Sequence, residues 1–180
     1  MKGVIFTEFI EMIENQLSPE LADEILTQAD LSTGGSYTAV GTYPHTEMLE
    51  LVKLLSEKTE APINELCSAF GEYLFSRFAE QYGEFFDQSG NAFDFLMQIE
   101  GHVHVEVLKL YPEAELPTFE TRLVDEDTLE MTYRSKRPFA DVALGLMRGC
   151  AKHFEEDILI SEQEMSPQDR THVQFTLKRR

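Results

Sequence analysis

The chain has 180 residues, of which 42% are hydrophobic and 27% are charged. This composition is ordinary for a soluble globular protein of one domain, or at most two small ones. The formal net charge of -18 is unusual. Because so acidic a surface repels phosphate backbones and anionic headgroups, we expect no nucleic-acid or membrane partner, and a basic protein surface is the better match.

The two cysteines and the hydropathy of the chain indicate its compartment. Cys67 and Cys150 are far apart in the sequence, in neither a metal-binding nor a redox spacing. The sequence contains no signal peptide and no apolar run that approaches the ~18 residues of a membrane span. We therefore expect a cytoplasmic protein whose thiols are reduced.

Four amphipathic segments with apolar residues three and four positions apart predict helices in the first half of the chain. They cover residues 1–17, 18–31, 45–62 and 63–83. The second opens with Ser18 and Pro19, which is a typical helix start. A connector rich in glycine and threonine, residues 32–44, precedes the third segment.

After Pro112 the periodicity changes to that of strands. The predicted strands are "TFETRLV" with "LEMTYRS", and "DILISEQEM" with "RTHVQFTLKR". Each pair predicts a hairpin, and the helical segment "FADVALGLMRGCAKHFEE" lies between the hairpins. We therefore expect an α+β fold in one domain over 1–180, with a helical part over 1–60 and helices packed on a small antiparallel sheet over 61–180.

The stretch "IEGHVHVEVLKLYP", residues 99–112, contains two histidines and has two interpretations. As a strand, it places His102, His104 and Glu106 on one face, as in a two-histidine, one-carboxylate metal site. As a helix, it separates the two histidines by about 200°, so that they cannot share a ligand. The strand interpretation predicts a non-haem metal enzyme.

A helix is the more economical interpretation of this stretch. A helical segment predicted over residues 87–100, with Ser89 or Asn91 as its N-cap, leads into this stretch, and its apolar pattern continues past Gly101. On that helix His104 faces apolar neighbours and His102 faces water. The alternation of valine with polar residues is nevertheless typical of a strand, so periodicity alone leaves both interpretations open.

The combination of "HVEVLKLYP" with "YRSKR" at 133–137 resembles the haem nitric oxide/oxygen binding (H-NOX) family. The resemblance runs from "MKG" at the N-terminus through "AFGEYLF" and "LGLMRG" to the final hairpin. It implies that the fold encloses haem b. By the same resemblance His104, eight residues before Pro112, would be the proximal ligand of the iron, and a neutral imidazole suits that role.

The resemblance also implies further contacts with the haem. Tyr133, Ser135 and Arg137 would hold the propionates, and their i, i+2, i+4 spacing on a strand points all three side chains the same way. Pro117 would press on the haem from the proximal side, and Ile5 would pack on it from the other side.

The residues expected around the gas ligand are apolar. Val142, five residues past Arg137, stands where dioxygen-holding relatives have a tyrosine. The other positions expected to line this distal side are Phe9, Leu74, Phe78 and Leu146. Because bound dioxygen needs a hydrogen bond and nitric oxide does not, we expect nitric oxide and carbon monoxide as ligands.

The function that the resemblance implies is a gas sensor rather than an enzyme. Nitric oxide at ferrous haem would release the proximal histidine and so regulate a separate histidine kinase or diguanylate cyclase, since the chain ends at Arg180 without an output domain. No structural zinc is expected, because residues 161–175 contain His172 but no cysteine. A thiol sensor based on Cys67 or Cys150 is a further alternative, and it requires a lowered thiol pKa.

Overall fold

The computed structural model describes residues 1–86, 89–165 and 169–180. It contains two compact units, Met1–Phe70 and Gly71–Arg180. The described residues form seven α-helices and four strands, and the predicted α+β class is confirmed. The single-domain organisation over 1–180 stays a prediction.

The first unit is helical. Its helices are α1 (Gly3–Gln16), α2 (Pro19–Gln28), α3 (His45–Thr59) and the first part of α4 (Ile63–Gln81). Ser18 caps α2 as predicted, since its Oγ accepts a hydrogen bond from the Leu21 backbone N–H at 3.1 Å. All four helices lie within the segments that the apolar spacing predicts.

The connector before α3 is held by one buried carboxylate. Glu47, on α3, is only 5% exposed. It accepts hydrogen bonds from Ser32 Oγ at 2.5 Å, from the Thr33 backbone N–H at 3.1 Å, from Thr33 Oγ1 at 2.7 Å and from Tyr37 Oη at 2.7 Å. The Tyr37 ring also stacks on Phe6 of α1 at 4.4 Å, so the connector is attached to two helices.

The second unit contains the remaining helices and the sheet. After the end of α4 the helical elements are a 3-10 turn (Gly83–Phe85), α5 (Ala92–Met97), a π-helical turn (Ile99–Val103), α6 (His104–Leu110) and α7 (Ala140–His153). Residues 87 and 88, the first two of the predicted segment 87–100, lie outside the described residues.

The sheet has four antiparallel strands in the order β1-β2-β4-β3. They are β1 (Thr118–Asp125), β2 (Thr128–Arg134), β3 (Ile158–Glu164) and β4 (His172–Arg179). Both predicted hairpins are confirmed. The central strands β2 and β4 alternate buried and less buried residues, so one face of the sheet lies in the core.

The core of the second unit lies between this face and helices α5 and α7. Leu129, Met131 and Phe175 are fully buried from the sheet, and Phe93 and Met147 are buried from the helices. The core fixes the positions of the segments that follow α5 and β2. The segment after α5 carries His104, and the segment after β2 carries Ser135 and Arg137, while Tyr133 lies near the end of β2 itself.

In the part of the chain that the structure describes, no helix combines the length and the apolarity that crossing a bilayer requires.

Candidate functional site

The segment that carries the two histidines is helical, so the strand interpretation and the non-haem metal site built on it are wrong. The prediction of one continuous helix also needs correction. α5 begins after Asn91, whose Oδ1 accepts from the Asp94 backbone N–H at 3.0 Å, but it ends at Met97. The segment continues as the π-helical turn and then as α6, which starts at His104.

The π-helical turn is defined by two backbone hydrogen bonds that reach five residues back. Val103 N–H donates to the Gln98 carbonyl at 3.3 Å, and His104 N–H donates to the Ile99 carbonyl. Gly101 lies in the middle of the turn, where a weak helix former is expected to loosen the regular α-helical pattern. π-Helical turns often mark functional sites, and this one leads directly into His104.

The His104 side chain is largely buried, with 16% of its surface exposed. Its Nδ1 lies 3.0 Å from Glu100 Oε1, and the same carboxylate oxygen accepts the Phe119 backbone N–H at 2.8 Å. Because an ionised carboxylate can only accept, Nδ1 carries the proton in this contact. Nε2 therefore keeps its lone pair, and it has no hydrogen-bond partner among the described residues.

The environment of His104 favours the neutral imidazole. Burial lowers the pKa of His104 below its ordinary value, and the Glu100 carboxylate offsets part of that effect. Only a neutral imidazole can bind a metal ion, so the lowered pKa suits a ligand at neutral pH.

His102 has different surroundings. Its ring lies 5.6 Å from the Phe85 ring, and the residue is partly buried. The prediction that His102 faces water therefore holds only in part. It assumed the residue spacing of a regular α-helix, and the π-helical turn changes the direction in which His102 points.

The predicted placement of Tyr133, Ser135 and Arg137 on one strand is wrong. β2 ends at Arg134, and Ser135 and Arg137 lie in the turn beyond it. Tyr133 Oη donates to the Arg137 carbonyl at 3.3 Å, and Ser135 Oγ accepts the Arg137 backbone N–H at 3.1 Å. The two hydroxyls therefore stabilise the turn that presents Arg137.

The Tyr133 side chain is almost fully buried, with 2% of the residue exposed. Burial raises the pKa of Tyr133, partly offset by hydrogen bonds from its neighbours, so that it stays a neutral phenol at ordinary pH.

Arg137 binds a carboxylate in this structure. Its side chain is 16% exposed, its Nη1 donates to the Glu115 carbonyl at 3.1 Å, and its Nη2 pairs with the Glu115 carboxylate. Lys136 lies 3.8 Å from the same carboxylate but is 88% exposed. The guanidinium is thus arranged to bind the type of group that a haem propionate presents.

A cavity of about 410 Å³ brings several of these residues together. It is lined by Glu100, His104, Val105, Leu108, Ala114, Glu115, Leu116, Pro117, Thr118, Ser135, Lys136 and Arg137. Four of the eleven residues predicted for the site therefore share one cavity. Apart from His104, its lining is apolar on α6; the loop before β1 adds apolar residues and the Glu115 carboxylate, and the segment after β2 adds two cations.

The predicted distal residues of the second unit lie on α4 and α7. Leu74 and Phe78 are on α4, and Val142 and Leu146 are on α7. The two helices approach closely, since a Cβ at Gly71 would lie 2.2 Å from the Val142 carbonyl oxygen. Leu74 is 2% exposed, and the other three are partly buried.

Ile5 and Phe9 belong to α1 in the first unit. Phe9 is fully buried and packs edge-on against Phe70 at 5.1 Å, whereas Ile5 is partly buried. Their contacts with a haem stay predictions, as do those of the other site residues.

The chemistry of the cavity fits a haem. Haem iron takes a histidine nitrogen, the ring needs apolar contacts, and the propionates need cationic partners. His104 Nε2, the apolar side chains of Val105 and Leu108, and the Arg137 guanidinium match these three requirements in turn.

Glu100 is one of the cavity residues that the sequence did not indicate, and it is the one that contacts His104 Nδ1. A carboxylate four residues before a histidine on a helix can reach its ring, so the spacing was an available signal.

The described residues do not support a metal cluster or a reactive Cys150. Within residues 1–86, 89–165 and 169–180, no group of three His, Cys, Asp or Glu side chains is close enough to hold a metal ion. Residues 166–168, part of the segment expected to lack a zinc site, lie outside the described residues. Burial, with a smaller effect of Glu156, raises the pKa of the Cys150 thiol, which disfavours Cys150 as the reactive thiol of a sensor.

Comparison with known proteins identifies the class. The family model described as haem-NO-binding matches residues 2–162. The chain belongs to this family, the H-NOX domains, which bind haem and act as gas sensors. No curated protein sequence matches the chain significantly.

Three solved structures show the extent of the similarity. The unliganded Fe(II) H-NOX protein from K. algicida is 37% identical, with a TM-score of 0.94 over 100% of this chain and 97% of that one. An H-NOX from Shewanella woodyi in the Fe(II)CO state with bound IWP-051 is 40% identical, with a TM-score of 0.84 over 100% and 95%. An H-NOX from S. oneidensis in the Fe(II)NO state is 27% identical, with a TM-score of 0.90 over 100% and 99%.

Proposed function

We propose that this chain is a cytoplasmic sensor of nitric oxide that carries haem b, with His104 as the protein ligand of the iron. The observation that supports it most directly is the arrangement of His104. Its Nδ1 contacts Glu100, its Nε2 has no partner among the described residues, and it lines a cavity shared with Arg137.

The residues around the cavity have distinct roles in this proposal. When bound, the haem supplies a ferrous iron that takes up diatomic gases. Arg137 would hold a propionate by exchanging the Glu115 carboxylate for it, and Tyr133 and Ser135 would keep the Arg137 turn in shape. Pro117 and Ile5 would contact the ring from its two sides.

The proposed gas selectivity rests on apolar distal residues. Val142, Leu146, Leu74, Phe78 and Phe9 offer no side-chain hydrogen-bond donor to a bound gas. A hydrogen bond to a charged acceptor is worth roughly 1.5 to 3 kcal/mol, so its absence weakens dioxygen binding about ten to a hundredfold. The relatives described in NO and CO states support these two gases as ligands.

The output of the sensor is proposed to run through α6. His104 is the first residue of that helix, so release of its ring from the iron would free α6 to move. Coupling of this kind typically amounts to 1 to 3 kcal/mol. The proposed target is a separate histidine kinase or diguanylate cyclase with a basic docking surface, and the chain itself is proposed to have no enzymatic activity.

An absorption spectrum of the purified protein tests the haem proposal. A Soret band in the ferrous protein that shifts with nitric oxide and with carbon monoxide, but not in air, is the expected result. A colourless protein that takes up no haem during reconstitution would contradict haem binding. A stable dioxygen complex in air would contradict the selectivity alone.

A further inference from the structure

Glu100 lies in the π-helical turn and connects two parts of the second unit. Its side chain is 40% exposed, yet one oxygen, Oε1, accepts from both His104 Nδ1 and the Phe119 backbone N–H. Phe119 is the second residue of β1, and its ring centroid lies 6.0 Å from that of His104. One carboxylate oxygen therefore joins the imidazole to an edge strand of the sheet.

A carboxylate at this place controls which nitrogen of His104 is available. Because it accepts and cannot donate, the nitrogen that faces it must carry the proton, and the lone pair stays on Nε2. The Phe119 N–H gives the oxygen a second, backbone partner, which holds it in position despite its exposure. The negative charge also raises the basicity of the ring, and a more basic ring binds iron more strongly.

We propose that Glu100 is the positioning residue for His104: it fixes the tautomer and orientation of the imidazole, strengthens the bond of Nε2 to the haem iron, and ties that bond to the start of β1. This inference rests on the proposed function and deepens it. It makes Glu100 a determinant of how readily His104 is released.

A matched control exists on α6, the helix that His104 begins. Glu106 is two residues past His104, and its carboxylate pairs with Lys109 at 2.6 Å rather than with the histidine. Glu106→Gln removes the same charge from the same neighbourhood and leaves the His104 contact intact.

The first measurement uses the haem-loaded ferrous protein. The iron-histidine stretching frequency from resonance Raman spectra should fall from the wild type to Glu100→Gln, and further to Glu100→Ala, while Glu106→Gln keeps the wild-type value. Transfer of haem to an acceptor protein should be about 10- to 100-fold faster for Glu100→Ala, as is typical when the hydrogen-bond partner of a ligand is lost. A purely structural role would change the melting temperature and leave the stretching frequency unchanged.

The second measurement uses the haem-free protein, so that it does not depend on the proposed function. Long-range ¹H–¹⁵N correlation spectra should show the Nδ1–H tautomer of His104 in the wild type and in Glu106→Gln, and its loss in Glu100→Ala. An unchanged stretching frequency in both Glu100 variants, an equal shift in Glu106→Gln, or an Nε2–H tautomer in the wild type would each overturn the inference. A wild type that binds no haem but shows the Nδ1–H tautomer would refute the proposed function and support the control of the imidazole by Glu100.

Discussion

Two carboxylates, one in each compact unit, accept several hydrogen bonds but differ in burial and partners. Glu47 is 5% exposed, and hydroxyl groups and one backbone N–H surround it. Glu100 has a 40% exposed side chain and divides one oxygen between an imidazole and a backbone N–H at the edge of a cavity. The Glu47 carboxylate has no remaining capacity to bind a ligand. The Glu100 carboxylate instead orients His104, whose Nε2 can bind one.

This difference separates a structural site from a functional one. A buried carboxylate that is fully hydrogen-bonded stabilises the chain around it, and its removal costs folding energy. A partly exposed carboxylate beside a histidine contributes less to stability and more to the chemistry of the ring. Substitution of Glu47 in the first unit should therefore change folding stability, whereas substitutions at the proposed haem site in the second unit should change haem or gas binding.

The largest effect on stability is expected for Glu47→Gln. The amide cannot accept all four hydrogen bonds and brings two donors among existing donors, so the free energy of unfolding should fall by about 3 kcal/mol. Urea denaturation followed by circular dichroism measures this. Glu50→Gln, on the same helix with its carboxylate 3.9 Å from Lys53, should change stability by less than about 0.5 kcal/mol. Similar losses in both variants would refute the special role of Glu47.

The contribution of Glu47 should also depend on pH. Burial alone would raise the pKa of Glu47, but the hydrogen bonds from Ser32, Thr33 and Tyr37 outweigh burial and lower it. The folded state then binds this proton less readily than the unfolded state does. The stability that Glu47 provides is therefore fully present above the ordinary value of 4.5 and is lost as the pH falls through the folded-state pKa.

The difference in stability between wild type and Glu47→Gln should accordingly shrink in acid. Denaturation curves at a series of pH values below 5 test this, and a constant difference would contradict it.

Burial, together with Glu47, raises the pKa of Tyr37 to about 12, so the phenol keeps its proton, and its hydrogen bond, at neutral pH.

A smaller effect, on haem retention rather than on folding, is expected for Arg137→Ala. Loss of the guanidinium removes the cation proposed to hold a propionate, and haem should dissociate roughly tenfold faster, with the melting temperature of the haem-free protein little changed. Lys136→Ala removes a neighbouring cation that is 88% exposed and should change dissociation less than about twofold. Equal effects of the two substitutions would show that net charge, not the guanidinium, retains the haem.

The smallest effect is expected for Val142→Tyr. A phenol on α7 would supply a hydrogen-bond donor to bound dioxygen, but Leu74 on the neighbouring helix cannot orient its hydroxyl. Dioxygen release should slow by less than about tenfold, while nitric oxide binding stays close to that of the wild type. Val142→Phe is the matched control, because it adds the ring without the hydroxyl. An equal change in both variants would attribute the effect to pocket size.

The sequence predicted the features that follow from local patterns. Alternating apolar residues predicted the two hairpins. Short polar side chains predicted the cap at Ser18 and offered Asn91, beside Ser89, as the cap of α5. The π-helical turn was missed because backbone hydrogen bonds that reach five residues back leave no periodic pattern in the sequence. Gly101 alone is a weak sign of such a turn. The end of β2 at Arg134 was missed because it depends on two hydrogen bonds of the Arg137 backbone, whose carbonyl accepts from Tyr133 Oη and whose N–H donates to Ser135 Oγ.

The two carboxylates show the same limit of local patterns. Glu47 lies on an amphipathic helix where a solvated glutamate would look the same in the sequence, and its partners come from a connector without periodicity. The contact of Glu100 with Phe119 joins residues 19 positions apart in sequence. Only the folded chain brings such pairs together.

The central claim, that His104 ligates the haem iron, is tested most directly by replacing each histidine of the stretch in turn. We expect His104→Gly to lose the ferrous Soret spectrum and to recover haem binding when free imidazole is supplied, since the small molecule can fill the space of the missing ring. We expect His102→Gly to keep the wild-type spectrum without imidazole. Loss of the spectrum in His102→Gly, or its retention in His104→Gly without imidazole, would contradict the assignment.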